Sequence, residues 1–147
     1  MQYVFPTTQF VHYRLPTHTN DLVMDRSHAG CSEVFVVVLE PGEAPPRHKH
    51  DDTEQIFYVL AGAGRLEIDD PPSEHFVGAG DVVRIPVGVF HRIHCLGDSP
   101  LRYLAIDCFP GGRPHAEPTW DAHVRVMCEQ NGWNYDEVRQ ASLARSR

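Results

Sequence analysis

Six short runs of β-forming residues, each cut off by glycine, proline or aspartate, fill residues 33–109 and leave few folds open. The runs are Glu33–Leu39, Gln55–Leu60, Gly64–Ile68, Asp81–Ile85, Phe90–Leu96 and Leu101–Phe109. Between them stand Glu40-Pro41-Gly42, Ala61-Gly62, Asp69-Asp70-Pro71-Pro72, Pro86-Val87-Gly88 and Gly97-Asp98-Ser99-Pro100. Regular short strands joined by turn chemistry predict an all-β sandwich or barrel. No helix-length pattern separates the strands, which disfavours a βαβ protein. No tandem repeat of fixed period is present.

The flanks read differently. Residues 1–32 form a mixed arm, with an edge strand expected around Phe10–Leu15. Residues 110–147 form a helical extension that opens after Phe109-Pro110-Gly111-Gly112. There Thr119 is an N-cap for a helix over about 120–130, with Trp120, Val124, Met127 and Cys128 on one apolar stripe. That stripe is expected to pack on the barrel, a lid over a ligand being the minority reading. Asn131-Gly132 stops the helix, and Asn134 with Glu137 makes a capping box for a second one, flanked by Trp133 and Val138 as a staple. The three segments make one domain, which suits 147 residues.

Composition narrows the partners. The net charge is -7 with histidines neutral, against any nucleic-acid partner. The single basic cluster, Arg139, Arg145 and Arg147, reads as a solvated tail. Lys49 is the only lysine beside twelve arginines, a compositional bias without mechanistic content. No apolar stretch is long enough to cross a bilayer, so no membrane association is expected. The start Met1-Gln2-Tyr3-Val4-Phe5-Pro6 lacks the basic and apolar segments of a signal peptide. Cys31, Cys95, Cys108 and Cys128 are widely spaced and form no CxxC pair, so four free thiols and a cytoplasmic setting are expected.

The chemistry lies in three histidines. His48 and His50 alternate in Arg47-His48-Lys49-His50, and on a strand both imidazoles share one face while Lys49 points the other way. His91, on a distant strand, can complete a tripod for a divalent metal. A closed structural zinc site fits poorly, since such sites favour cysteine-rich tetrahedra. Serine-hydrolase elbows, phosphate loops and dinucleotide fingerprints are all missing.

Gly42, His48, His50 and Gly62, followed by Gly80, Pro86, Gly88 and His91, resemble the two motifs of the cupin family, G(X)5HXH(X)3-4E(X)6G and G(X)5PXG(X)2H(X)3N. The resemblance covers about residues 33–109, and seventeen residues separate Gly62 from Gly80. It implies a double-stranded β-helix (jelly-roll) barrel with the helical extension as an appendage. In such a barrel Gly42, Gly62 and Gly80 permit positive φ at corners, and Pro86 with Gly88 bends the chain just before His91. Two positions depart from the family. Cys95 replaces the second motif's asparagine. The first motif's glutamate falls on Gln55 counting back from Gly62, or on Glu54 counting forward from His50. Alternation allows only one of them inward, and Gln55 keeps register with Phe57 and Val59.

The resemblance therefore implies one divalent metal (Fe, Mn, Ni, Zn or Cu) on His48, His50, His91 and Gln55, with Glu54 the alternative to Gln55. Three imidazoles and an amide leave the site at +2, more polarising than with a carboxylate. Phe57, Val59, Ile93 and Phe35 are expected to line the cavity, and Cys95 to be a small core residue beside it. Arg65, Arg84 and Arg102 are candidates to grip a carboxylate. His94 is expected to face outward, and His75 to lie exposed in the loop Pro71–Phe76. The implied activity is that of an enzyme on a small oxygen-rich organic molecule chelated at the metal. Dioxygenase chemistry stands ahead on family habit alone. Lewis-acid isomerase, cyclase or lyase chemistry is the alternative, and a non-catalytic binder of sugar-like molecules is the third. A homodimer is expected.

Overall fold

A computed structural model of the chain describes residues 1–145, so Arg147 of the expected basic tail lies outside the described residues. Among the described residues, nine strands and two helices run in the order β1 (Val11–Arg14), β2 (Thr19–Met24), β3 (Ser32–Leu39), β4 (Glu54–Ala61), β5 (Ala63–Ile68), β6 (Ser73–Gly78), β7 (Val82–Ile85), β8 (His91–Leu96), β9 (Leu101–Cys108), α1 (Trp120–Asn131) and α2 (Tyr135–Arg145). A 3-10 turn, Arg26–His28, joins β2 to β3. The strands form a six-stranded sheet, β1-β2-β3-β9-β4-β7, facing a three-stranded sheet, β6-β5-β8. All pairings are antiparallel. This is the all-β double-stranded β-helix architecture with a helical appendage.

The pleat decides what lies inside. On β9, Leu101, Tyr103, Ala105 and Asp107 are buried while the residues between them are not. On β4 the buried set is Gln55, Phe57 and Val59, and on β8 it is His91, Ile93 and Cys95. Phe57 and Tyr103 stack across the large sheet with ring centroids 4.6 Å apart.

All six expected strands form. The expected edge strand also forms, as β1. Two further strands were not legible. Thr19-Asn20-Asp21 at the start of β2 has loop-like composition, yet all three residues are buried. β6 has no inward alternation, because it is the largely exposed edge of the small sheet. His75 is exposed as expected, but it lies on that strand, not in a loop.

The His48–His50 segment also differs from the expected strand. It makes a single bridge, in which His48 and His91 exchange backbone bonds of 3.1 and 2.8 Å. Pro45 and Pro46 precede it without backbone N–H groups, so no ladder can extend through them. The segment is still pinned along β8, since Cys95 N donates to Glu43 O at 3.0 Å and Gly88 N to His50 O at 2.7 Å.

Helix α1 caps as read, and at α2 the Asn134 half of the expected capping box forms. Thr119 Oγ1 accepts from Ala122 N at 3.1 Å, and Gly132 closes α1 in the left-handed conformation at φ 68°. Asn134 Oδ1 accepts from Asp136 N at 3.0 Å at the start of α2. Trp120, Val124 and Cys128 bury one stripe of α1 in the barrel core, and Trp120 meets Phe35 with centroids 4.5 Å apart. All four cysteines are free thiols. No described helix is long and apolar enough to cross a membrane.

Candidate metal centre

His48 and His91 are brought together by their mutual backbone bridge, and His50 follows two residues on. One ligand atom from each of the three imidazoles lies within 4.8 Å of the others. The ring centroids are 4.4 Å apart for His48 and His91, and 4.8 Å for His48 and His50. His48 Nδ1 donates to Pro46 O at 2.6 Å, and His91 Nδ1 to Val89 O at 3.1 Å. A carbonyl can only accept, so Nδ1 carries the proton in both rings and the Nε2 lone pair is left for a cation. His50 Nε2 is buried without a hydrogen-bond partner. Burial, then the neighbouring imidazoles, pushes His50 well below the ordinary histidine range, and burial with His48 brings His91 down to about 4. Burial also lowers His48. The rings are therefore neutral near pH 7, the form that binds metal.

Gln55 reaches the same cavity from the opposite sheet. Its Nε2 donates to Asp107 Oδ1 at 2.8 Å, and its Oε1 is buried with no partner. Glu54 points the other way and pairs with Arg84 at 3.1 Å. The orphaned Gln55 Oε1 beside three neutral imidazoles, one of them with its own orphaned Nε2, makes four donors that fit a divalent ion.

Behind Gln55 runs a buried acidic row. Strand register places Asp107 beside Gln55 on one side and beside Glu33 on the other. Glu33, fully buried, holds Arg26 through two 2.8 Å bonds. Burial, then the neighbouring Glu33 carboxyl, raises Asp107 well above the usual carboxylate range.

The cavity measures about 140 Å³ and has an aromatic wall of Phe35, Phe57, Tyr103, Trp120 and Trp133, with Ile93 beside the histidines. His18 and Asn20, at the start of β2, supply its far polar end. The Asn20 Oδ1 and Trp120 Nε1 atoms are buried without partners, and burial brings His18 down to about 3. Helix α1 lies across the mouth, presenting His123, Met127, Gln130 and Asn131. The helix therefore packs on the core with one stripe and borders the cavity with the adjoining one. His123 Nδ1 bonds Glu117 Oε1 at 2.8 Å, its ring is 6.5 Å from that of His50, and this bond holds Glu117 below the usual carboxylate range.

Several expected lining residues stand elsewhere. Val59 has the correct inward parity but lies one pleat beyond Phe57, in the sealed core, and Cys95 is the small core residue expected, one pleat beyond Ile93 and off the cavity wall. Cys95 Sγ there bonds Ser99 O at 3.3 Å. Arg65, Arg84 and Arg102 do not reach the cavity, because each alternates with an inward residue. Arg65 pairs with Glu67 and Glu74, Arg84 with Glu54, and Arg102 is exposed. His94 faces outward beside Glu67, as its parity required. Asp107 and Glu33 were missed, although a carboxylate at an inward position of an apolar strand is a readable signal. His18, Asn20 and His123 carried no such signal, since they enter from segments whose placement depends on tertiary packing.

The sequence model of the cupin domain matches residues 25–107, more than half of the chain. The chain is a cupin. SchB of Streptomyces halstedii is 38% identical to this cupin over 78 residues, 52% of this chain and 55% of SchB. Acireductone dioxygenase 2 of Coprinopsis cinerea is 41% identical over 49 residues, 31% of this chain and 24% of that protein. Matches of this kind span little more than half of SchB and a quarter of the dioxygenase. A solved Thermotoga maritima structure, described as a predicted oxalate decarboxylase, superposes with a TM-score of 0.66 at 22% identity, covering 73% of this cupin and 99% of that chain. That likeness is one of fold.

Proposed function

We propose that this cupin is a metal-dependent enzyme that moves a proton on a small, oxygen-rich organic substrate held in the aromatic cavity. His48, His50 and His91, with Gln55 as fourth donor, would hold one divalent ion. Bound there, such an ion would supply Lewis-acid polarisation of a substrate carbonyl. The observation that carries the reading is the convergence of three neutral imidazoles and the orphaned Gln55 Oε1 on one cavity. Phe35, Phe57 and Trp120 hold the flat apolar body of the substrate and exclude water from it. Trp120 Nε1 can donate to a substrate oxygen, and Asn20 Oδ1 can accept from a hydroxyl. Glu117 fixes His123 through Nδ1, which leaves Nε2 to take a proton from the carbon beside the polarised carbonyl and return it. Isomerase, cyclase and lyase reactions share this step.

Dioxygenase chemistry is the second reading, favoured by the similarity to acireductone dioxygenase 2. The two separate cleanly. With 2,4-pentanedione in deuterium oxide, metal-loaded protein should speed loss of the methylene proton signal without consuming oxygen. Exchange should fall at least tenfold in His123→Ala, and metal should be absent from the His48→Ala/His50→Ala variant. Oxygen uptake matching substrate loss in the Fe(II)-loaded protein would instead establish the oxidative route.

A further inference from the structure

Position 55 departs from the cupin motif, and the acidic row behind it supplies a physical reason. Gln55 sits between the cavity and Asp107, and its amide group has two unlike ends. The Nε2 end donates to Asp107 Oδ1 at 2.8 Å, and the Oε1 end has no protein partner. Asp107 in turn stands in register beside Glu33, whose two oxygens are taken up by Arg26 at 2.8 Å each. All four side chains are buried. A carboxylate at 55 would have no N–H to give Asp107. It would also stand as a third acid in a dry row whose one paired cation, among the described residues, is Arg26.

We propose that Asp107 is the positioning residue of the metal centre: it accepts the Gln55 amide nitrogen, turns the carbonyl oxygen toward His48, His50 and His91, and so makes glutamine the residue that fits position 55. This inference rests on the metal-binding reading above. Asp107 touches no cation itself, and its effect passes through Gln55. Asparagine can imitate it, because its amide keeps a carbonyl oxygen for Gln55 on one side and turns the other end to Glu33, the register partner of Asp107. In Asp107→Asn the side-chain carbonyl still accepts from Gln55, and the new amide N–H can donate toward Glu33. Leucine, of similar size, can do neither.

Cobalt(II) tests this without any substrate, because its visible absorption reports the donor set. Wild-type protein should take up one equivalent. Asp107→Asn should keep the spectrum and an affinity within about twofold. Asp107→Leu should bind about 10–100-fold more weakly with an altered spectrum, the usual consequence of losing an outer partner of a metal ligand. Gln55→Leu should show the same loss, and the double variant should lose no more than either single one. A loss in the double variant that adds the two single losses overturns the proposal, as does wild-type binding by Asp107→Leu. A second measurement stays available if Asp107→Leu does not fold. The Gln55 side-chain NH2 signals, assigned by their absence in Gln55→Leu, should exchange slowly with solvent in wild type and in Asp107→Asn. Fast exchange in wild type overturns the proposal. Absence of cobalt binding in wild type removes the metal reading and this one together. Binding that vanishes in His48→Ala/His50→Ala but persists unchanged in Asp107→Leu removes this one alone.

Discussion

Gly62 joins β4 to β5 at φ 83°, and a β-carbon there would lie 2.3 Å from Pro100 O and 2.9 Å from Leu101 Cα. Both obstacles are backbone, so no side-chain rotation relieves them. Gly42 also has positive φ, at 82°, but a β-carbon there meets nothing within 4 Å. The two substitutions therefore separate strain from collision. Gly42→Ala should cost about 1 kcal/mol of unfolding free energy, the strain of a left-handed residue. Gly62→Ala should cost about 3 kcal/mol or more, since the β9 connection must also move. Urea unfolding of the two variants measures the difference, and equal costs would show that the Pro100 contact yields freely. Both glycines were readable from the motif spacing, but the collision was not, because Pro100 is remote in sequence. The Gln55 ambiguity has the same character. Two spacings were legal, and the pairing of Gln55 with Asp107 and Ile85 shows which residue the pleat turns inward.

Elements were legible where one local rule decided them. Alternation fixed β4, β8 and β9, and the cap residues fixed both ends of α1. Thr119 is a clean case: its hydroxyl satisfies Ala122 N, and replacement by alanine removes that acceptor. Thr119→Ala should lower stability by about 1 kcal/mol in thermal or urea unfolding. No change would mean that Asp25, which accepts from Trp120 N at 3.2 Å, already holds the helix start. Elements were illegible where function or exposure overrode the pattern. β2 carries polar residues inward because Asn20, with His18 just before the strand, furnishes the cavity. The His48 segment needs extended geometry without a ladder, which its prolines enforce. The helix α1 was read as a packing element, and it is one, but its adjoining face also closes the cavity. That second role follows only from where the barrel mouth lies.

On the proposed metal reading, metal, fold and pH form one linked equilibrium in the whole molecule. Burial depresses His91 to about 4 and His18 to about 3, from an unfolded value of 6.5. Above pH 6.5 both are neutral in either state, and their contribution to stability is fully present. As pH falls below that value, the unfolded chain binds protons that the folded chain refuses, so stability declines. The decline from His91 levels off near pH 4 and amounts to on the order of 3 kcal/mol. Cation binding opposes this change, because it captures the same neutral imidazoles and has no counterpart in the unfolded chain. At pH 7.5, cobalt(II) at a hundred times its dissociation constant should add about 2.7 kcal/mol. For a chain of this size that is a rise in melting temperature of roughly 5–10 °C. At a fixed metal concentration the gain should hold as pH falls from 6.5 and shrink only as pH approaches 4, where protons begin to compete for folded His91. In His48→Ala/His50→Ala the metal-dependent rise should vanish while the metal-free transition stays cooperative. A rise of equal size in that variant would locate the stabilising cation elsewhere on this acidic surface and detach the cavity from metal chemistry.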